Sequence, residues 1–350
     1  MKNMVIVSTV SPNSEPRGAV LRLQNLIKAY DNKIELIVVL GFQSKLEEHF
    51  GAIRVIYLTP SKFDWINISF RLIFKPITNA IYFRSHLRAY VSHNHRVLFH
   101  LIRPYQRLNA LETTVDMCES LAENFQQRAS FYSWLRVKKY IMLYESFRLK
   151  KLEDKLVKNN DIRKILISKS DRLFSDTANM VILPNKSSLL QASKITNYQD
   201  NKFVFIGHVD YEPNLLSVIT CADMLKNINP NFRISVVGRC SENSAAILGK
   251  HKNVDIHGFV NDPSLILSDG YAGLAIMTIG TGQQNKVLDY ISCGVPPIVS
   301  STVGLAYPGE APFLVADNFN EFTEGIKFLS TQDNRINYMR KCSSYMDTLA

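Results

Sequence analysis

The chain has no apolar run approaching the roughly 20 residues of a membrane-spanning helix, so no segment is expected to cross a bilayer. Its opening, MKNMVIVSTVS, is apolar for only a few residues, runs into Ser and Thr, and offers no small-residue cleavage site. It reads as a first strand and not as a secretion signal. Cysteines are few: Cys118, Cys221, Cys240, Cys293 and Cys342 are odd in number and form no CxxC pair. That argues against a disulfide framework and against a zinc site, and suits a reducing cytoplasm. There is no repeat of fixed period, no low-complexity tract, and no helix-turn-helix, zinc or RNA-binding motif.

Acidic charge is scarce in one half only. Residues 1–183 carry 28 Lys and Arg against 16 Asp and Glu, whereas residues 184–350 carry 13 against 15, so the whole net charge of +10 comes from the first half. Residues 60–109 hold eight of those cations and one acid, Asp64, interleaved with Phe63, Trp65, Phe70, Phe74, Tyr82, Phe83 and Tyr90. Basic and aromatic residues together are an interfacial composition, so an anionic membrane surface is one expectation. A solvated helix face over an ordinary core is the alternative, and nucleic acid is disfavoured by the missing motifs.

At 350 residues with 46% apolar composition the chain suits two globular domains. The first half alternates strands at 4–10, 34–40, 52–58, 96–102, 112–117, 164–170 and 179–185 with helices from about Arg17, through the 60s to 80s, and over 131–158. The last helix mixes charges without a clean apolar stripe and is expected to lie over the surface. A polar segment, Pro184 to Asn201, precedes a second alternation of strands ending in FVFIG, ISVVG and VDIHGFV with helices 213–227, 242–250 and 263–268. Two α/β domains with parallel sheets follow, residues 1–183 and 184–350, each doubly wound.

The richest stretch is Tyr271 to Leu305, YAGLAIMTIGTGQQNKVLDYISCGVPPIVSSTVGL. It reads as strand, glycine loop, helix from Lys286 to Cys293 stopped by Gly294, and strand. Lys286 stands in the first turn, where free amides and the helix dipole already make the site electropositive and disfavour a cation. A glycine loop through Gly282, free amides and one ammonium together suit a phosphate. Asn285 and Asp289 share its face, adding a carboxylate for sugar hydroxyls. The plain alternative is a surface helix with a Lys286–Asp289 ion pair.

The string GxxxNKVLDYxxxGVPPIVSSxxGL resembles the nucleotide-sugar signature of retaining glycosyltransferases of family 4, in the subgroup with G-x-Q-N-K-x-L-E followed by G-x-P-V-V. FIGHVDYEPN at 205–214, ISVVGR at 234–239 and VDIHGFVND at 254–262 are similar to that family in order and spacing. RPY at 103–105, VDMCESL at 115–121 and the helix through Tyr144-Glu145 and Leu152-Glu153 resemble its first half more faintly. The resemblance implies the GT-B architecture, two Rossmann-like domains facing across a cleft, with the acceptor side in the first and the nucleotide sugar in the second. It differs at one point: of two acidic residues eight apart in the broader family, the first is Thr281 here and the second is Asp289.

The resemblance implies donor-binding roles for Gly18, Gly207, Arg239, Phe259, Val260, Gly282, Asn285, Lys286 and Asp289. Arg239 at a strand end can fork onto a diphosphate or form a rim salt bridge; Phe259 and Val260 can hold the base or belong to the core. Arg103 and Asp116, at first-half strand ends, are the catalytic candidates, one for departing charge and one for the acceptor hydroxyl, with structural roles as the alternative for both. His100 reads as a core histidine. With no DxD-type pair after an apolar strand, the chemistry is expected to need no metal and no cofactor. The expected activity is transfer of a sugar from a nucleotide-sugar donor to a lipid-linked or saccharide acceptor in bacterial surface polysaccharide assembly, at the cytoplasmic face of the inner membrane, without nucleic acid. The rivals are a nucleotide-sugar epimerase and a non-catalytic binding subunit, the latter suggested by Thr281 and by the short end at Ala350.

Overall fold

The computed structural model describes residues 3–15, 18–42, 47–130, 132–133, 136–169, 171–187, 189, 198–278 and 283–349. It divides into two compact units, Met1–Asn185 and Lys186–Ala350. The sequence-expected glycine loop, Gly280 to Gly282, lies outside the described residues, as does Arg17.

The first unit contains β1 (Met4–Ser8), α1 (Gly18–Tyr30), β2 (Ile34–Leu40), β3 (Glu47–Phe50), β4 (Ile53–Leu58), α2 (Lys62–Phe74), α3 (Ile77–Ala80), β5 (Arg96–His100), β6 (Glu112–Cys118), α4 (Leu121–Ser130), α5 (Val137–Lys158), β7 (Ile162–Leu166) and β8 (Met180–Ile182). Its sheet runs β3-β4-β2-β1-β5-β6-β7-β8, parallel except for β3, which pairs antiparallel with β4 at the edge. The chain winds outward from β1 in both directions, so the strand order reverses between β1 and β5. Alternate side chains of β1 serve opposite faces: Val5 and Val7 join one core cluster, Met4 and Ile6 the other.

Two local expectations change. The helix expected through the 60s to 80s stops at Phe74 because Lys75 precedes Pro76 and is extended, at φ −117° and ψ 159°. The chain then resumes as α3. The charged helix α5 does have a buried stripe, at Met142, Glu145, Ser146, Leu149, Leu152, Glu153 and Leu156. Its polar members hide that stripe from a hydropathy reading. The Glu145 carboxylate accepts from Ile77 N (2.7 Å) and Thr78 N (2.8 Å) at the start of α3. The Glu153 carboxylate accepts from Ala122 N (3.0 Å) at the start of α4, from Ser120 Oγ, and from Arg172. Both glutamates satisfy helix-start amides that would otherwise be orphaned.

The second unit contains β9 (Gln199–Ile206), α6 (Glu212–Ile228), β10 (Arg233–Val237), α7 (Glu242–Leu248), β11 (Val254–Gly258), α8 (Ser264–Leu267), β12 (Gly270–Ala275), α9 (Asn285–Ser292), β13 (Pro297–Val299), α10 (Ser301–Gly304), β14 (Leu314–Val315), α11 (Phe319–Leu329) and α12 (Gln332–Leu349). All its strands are parallel, in the order β11-β10-β9-β12-β13-β14. That is the doubly wound dinucleotide-type order, with its reversal between β9 and β12. Ligands of such sheets bind outside the carboxyl ends of the strands at the reversal.

Candidate functional site

At that reversal the β9–β12 ladder ends at the Gly273–Val204 pair. Just beyond that pair the Tyr290 hydroxyl enters the gap, accepting from Ile206 N (3.1 Å) and donating to Leu274 O (3.0 Å). A Cβ on Gly273 would lie 2.3 Å from the Tyr290 ring, so only glycine lets that ring lie on the strand. Tyr290 thereby pins α9 beside the carboxyl ends of β9 and β12, and its first turn carries Lys286 there.

Lys286 is only 6% exposed. Its Nζ donates to Asn214 Oδ1 (2.7 Å), lies 3.5 Å from Met277 Sδ, and sits 4.1 Å above the centre of the Phe205 ring. It forms no ion pair with Asp289, so the surface-pair alternative does not hold. The first turn of α9 holds no acidic residue, and Gln284, the residue before it, makes no side-chain cap. A buried ammonium faced by an amide oxygen, a thioether and an aromatic ring is poorly compensated, and burial lowers its pKa to about 7. An anion arriving here would restore the charge.

Asp289, one turn on, is also buried, and its Oδ1 accepts from Ser187 Oγ at 2.8 Å. Burial raises its pKa to about 6 against the lowering effect of that hydrogen bond. The site thus pairs a cation short of negative charge with a carboxylate short of donors, which ligand hydroxyls could supply.

The strand ends beside it are tight. Gly207 N donates to Val237 O (2.9 Å) and Gly238 N to Gly258 O (2.8 Å), extending the ladders past β9 and β10. Gly207 and Gly238 have φ +157° and +135°, and a Cβ on Gly238 would lie 2.0 Å from Gly207 O. Asp210 ties the loop after β9 to α7, its Oδ1 accepting from Ser241 N, Ser241 Oγ and Ser244 Oγ; those bonds hold its carboxyl at about 2. Arg239 is exposed at the end of β10. Phe259 is exposed just past β11, which removes the core alternative for it, while the half-buried Val260 packs against the unit's core. Asn285 is half-buried at the head of α9.

Sequence reasoning passed over Asn214, whose Nδ2 donates to His208 O (2.9 Å) while its Oδ1 receives Lys286. Its only signal was its place at the end of the FIGHVDYEPN string. Among the described residues no group of three or more His, Cys, Asp or Glu is placed to hold a metal ion.

In the first unit the structural alternative for Asp116 is what the geometry displays. Both its oxygens receive Arg22 of α1, at 2.7 Å and 3.1 Å, and Arg22 also donates to Leu183 O and Asn185 Oδ1. Arg103 is half-buried beyond β5, and its carbonyl accepts from Asn79 Nδ2 (3.0 Å). His100 ends β5 fully buried, its Nδ1 2.9 Å from Ser8 Oγ, and burial lowers its pKa to about 4. Leu101 and Cys118, at the carboxyl ends of neighbouring strands, hold left-handed backbone, φ +66° and +61°. A Cβ on Gly18 would meet nothing within 4 Å, so nothing there demands glycine.

Residues 200–332, within the second unit Lys186–Ala350, match a family model described as Glycosyl transferases group 1. The second unit resembles a group 1 glycosyltransferase. The match supports glycosyl transfer as the activity, and the chain has the fold of GT-B glycosyltransferases. WaaG, a glycosyltransferase involved in lipopolysaccharide biosynthesis, superposes with a TM-score of 0.67 at 14% identity, covering 99% of this chain and 95% of WaaG. TarM of S. aureus, solved as a mutant with fondaparinux, α-GlcNAc-glycerol and UDP, gives 0.65 at 11%, covering 99% and 98%. HepE of Anabaena in complex with UDP-glucose gives 0.60 at 12%, covering 99% and 95%. No curated protein sequence matches the chain significantly.

Proposed function

We propose that this chain is a retaining glycosyltransferase of the family 4 type. It takes a sugar from a nucleoside diphosphate donor held at the carboxyl ends of β9, β10 and β12 and passes it to a saccharide or lipid-linked acceptor in surface polysaccharide assembly. The observation that carries this reading is Lys286, buried at a helix start on the sheet's reversal point with no carboxylate among the described residues paired to it. The neighbours support the choice of ligand: HepE was solved with UDP-glucose and TarM with UDP.

In the reaction the bond from the anomeric carbon to the diphosphate oxygen breaks with its electron pair on that oxygen. The acceptor oxygen bonds to the carbon and loses its proton, which passes to solvent as the nucleoside diphosphate leaves. Charge therefore grows on the diphosphate, and Lys286, the α9 amides and Arg239 are the groups assigned to it. Asp289 is assigned the ribose hydroxyls, Phe259 and Val260 the base. Arg103 is the first unit's candidate cation; Asp116, both of whose oxygens receive Arg22, is assigned a structural part and not the acceptor's proton.

The purified chain incubated with UDP-, GDP- and dTDP-sugars and a lipid-linked or saccharide acceptor is expected to release nucleoside diphosphate and form a product that keeps the donor's anomeric configuration. Binding without turnover would make it a nucleotide-sugar-binding subunit, and an altered free sugar formed without acceptor would make it an epimerase. Asp289→Asn is expected to weaken UDP binding by about 1–2 kcal/mol, the worth of one or two hydrogen bonds to a charged acceptor, and to leave pyrophosphate binding unchanged. Calorimetry with both ligands separates the outcomes, since equal losses would mean that Asp289 acts on the phosphates and not on the ribose.

A further inference from the structure

The helix α2, KFDWINISFRLIF, is apolar almost all round, yet only Asp64 and Ile68 of it are buried. A helix of that composition is ordinarily enclosed. Here Phe63, Ile66, Phe70, Ile73 and Phe74 stand at helical spacing in solvent, Phe63 and Phe74 about three quarters exposed at 75% and 76%. With 13 residues it is about 20 Å long, too short for the roughly 30 Å hydrocarbon core, so it can lie in an interface but not cross one.

A second stripe, absent from the sequence expectation, flanks it. On α5, opposite the buried face, Val137, Tyr140, Ile141, Tyr144 and Phe147 are all at least half exposed. The two helices are clasped together. Arg148 of α5 donates to Leu72 O (2.7 Å), Ile73 O and Lys75 O (2.8 Å) at the end of α2, and Glu145 receives the amides that follow Pro76. Both helices belong to the first unit, and the clasp joins the last turn of α2 to the middle of α5.

Charge decides which partner fits. Residues 62–75 and 136–151 carry nine Lys and Arg and two acids, Asp64 and Glu145. Both acids are turned inward: Asp64 closes the Ser61 capping box at 0% exposed, and Glu145 binds the start of α3 at 2%. The surface of these two segments therefore presents cations and aromatics and no carboxylate. Burial lowers the pKa of Lys75, and the nearby cations Lys155 and Arg71 lower it further. Lys151 and Arg148 lie over the rings of Phe147 and Tyr144, at 4.2 Å and 4.3 Å, mixing the two characters on one face.

We propose that the α2–α5 face is a docking surface for an anionic lipid bilayer, with the exposed rings entering the headgroup layer and the cations meeting lipid phosphates. It is independent of the donor site, since none of its residues belongs to the second unit. A lipid-linked acceptor would give it a use, because docking confines the search for such an acceptor to two dimensions.

The full chain is mixed with vesicles of phosphatidylcholine alone or with phosphatidylglycerol, and pelleting is measured with the emission of Trp65 in a Trp134→Phe background. It is expected to pellet with anionic vesicles only, with a blue shift, and salt at about 0.5 M is expected to weaken binding without abolishing it, because salt screens charge and not apolar burial. Ile66→Ser/Phe70→Ser/Phe74→Ser on α2 and Ile141→Ser/Phe147→Ser on α5 are each expected to lower apparent vesicle affinity about tenfold or more. Since these side chains are exposed, melting temperature and UDP binding are expected to stay as in the parent, which controls for folding. No pelleting at low salt, or pelleting unaffected by the α5 substitutions, would overturn the proposal. A concentration-dependent dimer abolished by the same substitutions, without vesicle binding, would assign the face to a second copy and overturn it equally.

Discussion

Lys286→Met is expected to weaken UDP binding by about 1.5–3 kcal/mol, roughly 10- to 150-fold, while leaving the unliganded protein at least as stable near neutral pH. The two halves share one cause. In the free protein Nζ is buried against Asn214 Oδ1, Met277 Sδ and the Phe205 ring, so its charge is a liability that methionine, of similar length, removes. With a diphosphate present the same charge gains its counterion. Asn214 would keep its bond to His208 O. The pH dependence of stability adds a signature. Unfolded, the amine holds its proton up to its ordinary pKa of 10.5; folded, it loses it above about 7. Between those values the unfolded chain binds more protons, so this group makes stability rise with pH from about 7 to 10.5. The methionine variant should lack that rise. Calorimetry with UDP and denaturant titrations across pH 7–10 measure both; unchanged UDP affinity in a folded variant would remove Lys286 from the donor site.

Gly238→Ala is expected to destabilise the second unit by more than about 4 kcal/mol, among the largest effects of a single substitution. The added Cβ would sit 2.0 Å from Gly207 O and 2.7 Å from Gly207 C, both backbone atoms. Neither side can yield cheaply. Gly207 N is held by Val237 O and Gly238 N by Gly258 O, so separating them opens the ends of β9, β10 and β11 together. Its φ of +135° adds strain for any residue with a side chain. At about 2–4 °C per kcal/mol for a unit of this size, the melting temperature should fall by roughly 10 °C or more, and UDP binding should fall with it. Gly18→Ala is the control: its Cβ meets nothing within 4 Å, and the melting temperature should scarcely move. A Gly238→Ala variant that melts like the parent would mean that the two strand ends are not packed as described.

The second unit was largely legible in sequence because buried parallel strands are short apolar runs ending in glycine, as FVFIG and ISVVG do, and α9 carries a clean helical period. The short elements β3 and β14 were not, since four residues reading EEHF and two reading LV carry no period. The Pro76 break was there to be read, but apolar residues on both sides of it suggested one helix. In α5 the buried stripe was disguised by Glu145, Ser146 and Glu153, polar residues whose partners lie in other elements. The same limit applied at the site. Lys286 and Asp289 stood out by position, but whether they pair with each other depends on Asn214 and Ser187, 72 and 102 residues away. Asp116 looked available at a strand end because nothing local marks Arg22, 94 residues earlier, as its partner.

If Lys286 meets the donor's phosphates, UDP binding must draw a proton from solution. UDP is titrated calorimetrically at pH 8 in buffers of different ionisation enthalpy. Since burial lowers the free amine's pKa to about 7 and a bound diphosphate restores its charge, protons should be taken up on UDP binding at pH 8, fewer at pH 7, and none in Lys286→Met. Heats at pH 8 that do not vary with buffer, in a protein that binds UDP tightly, would contradict the account, because the nucleotide would then bind without touching the one buried cation assigned to it.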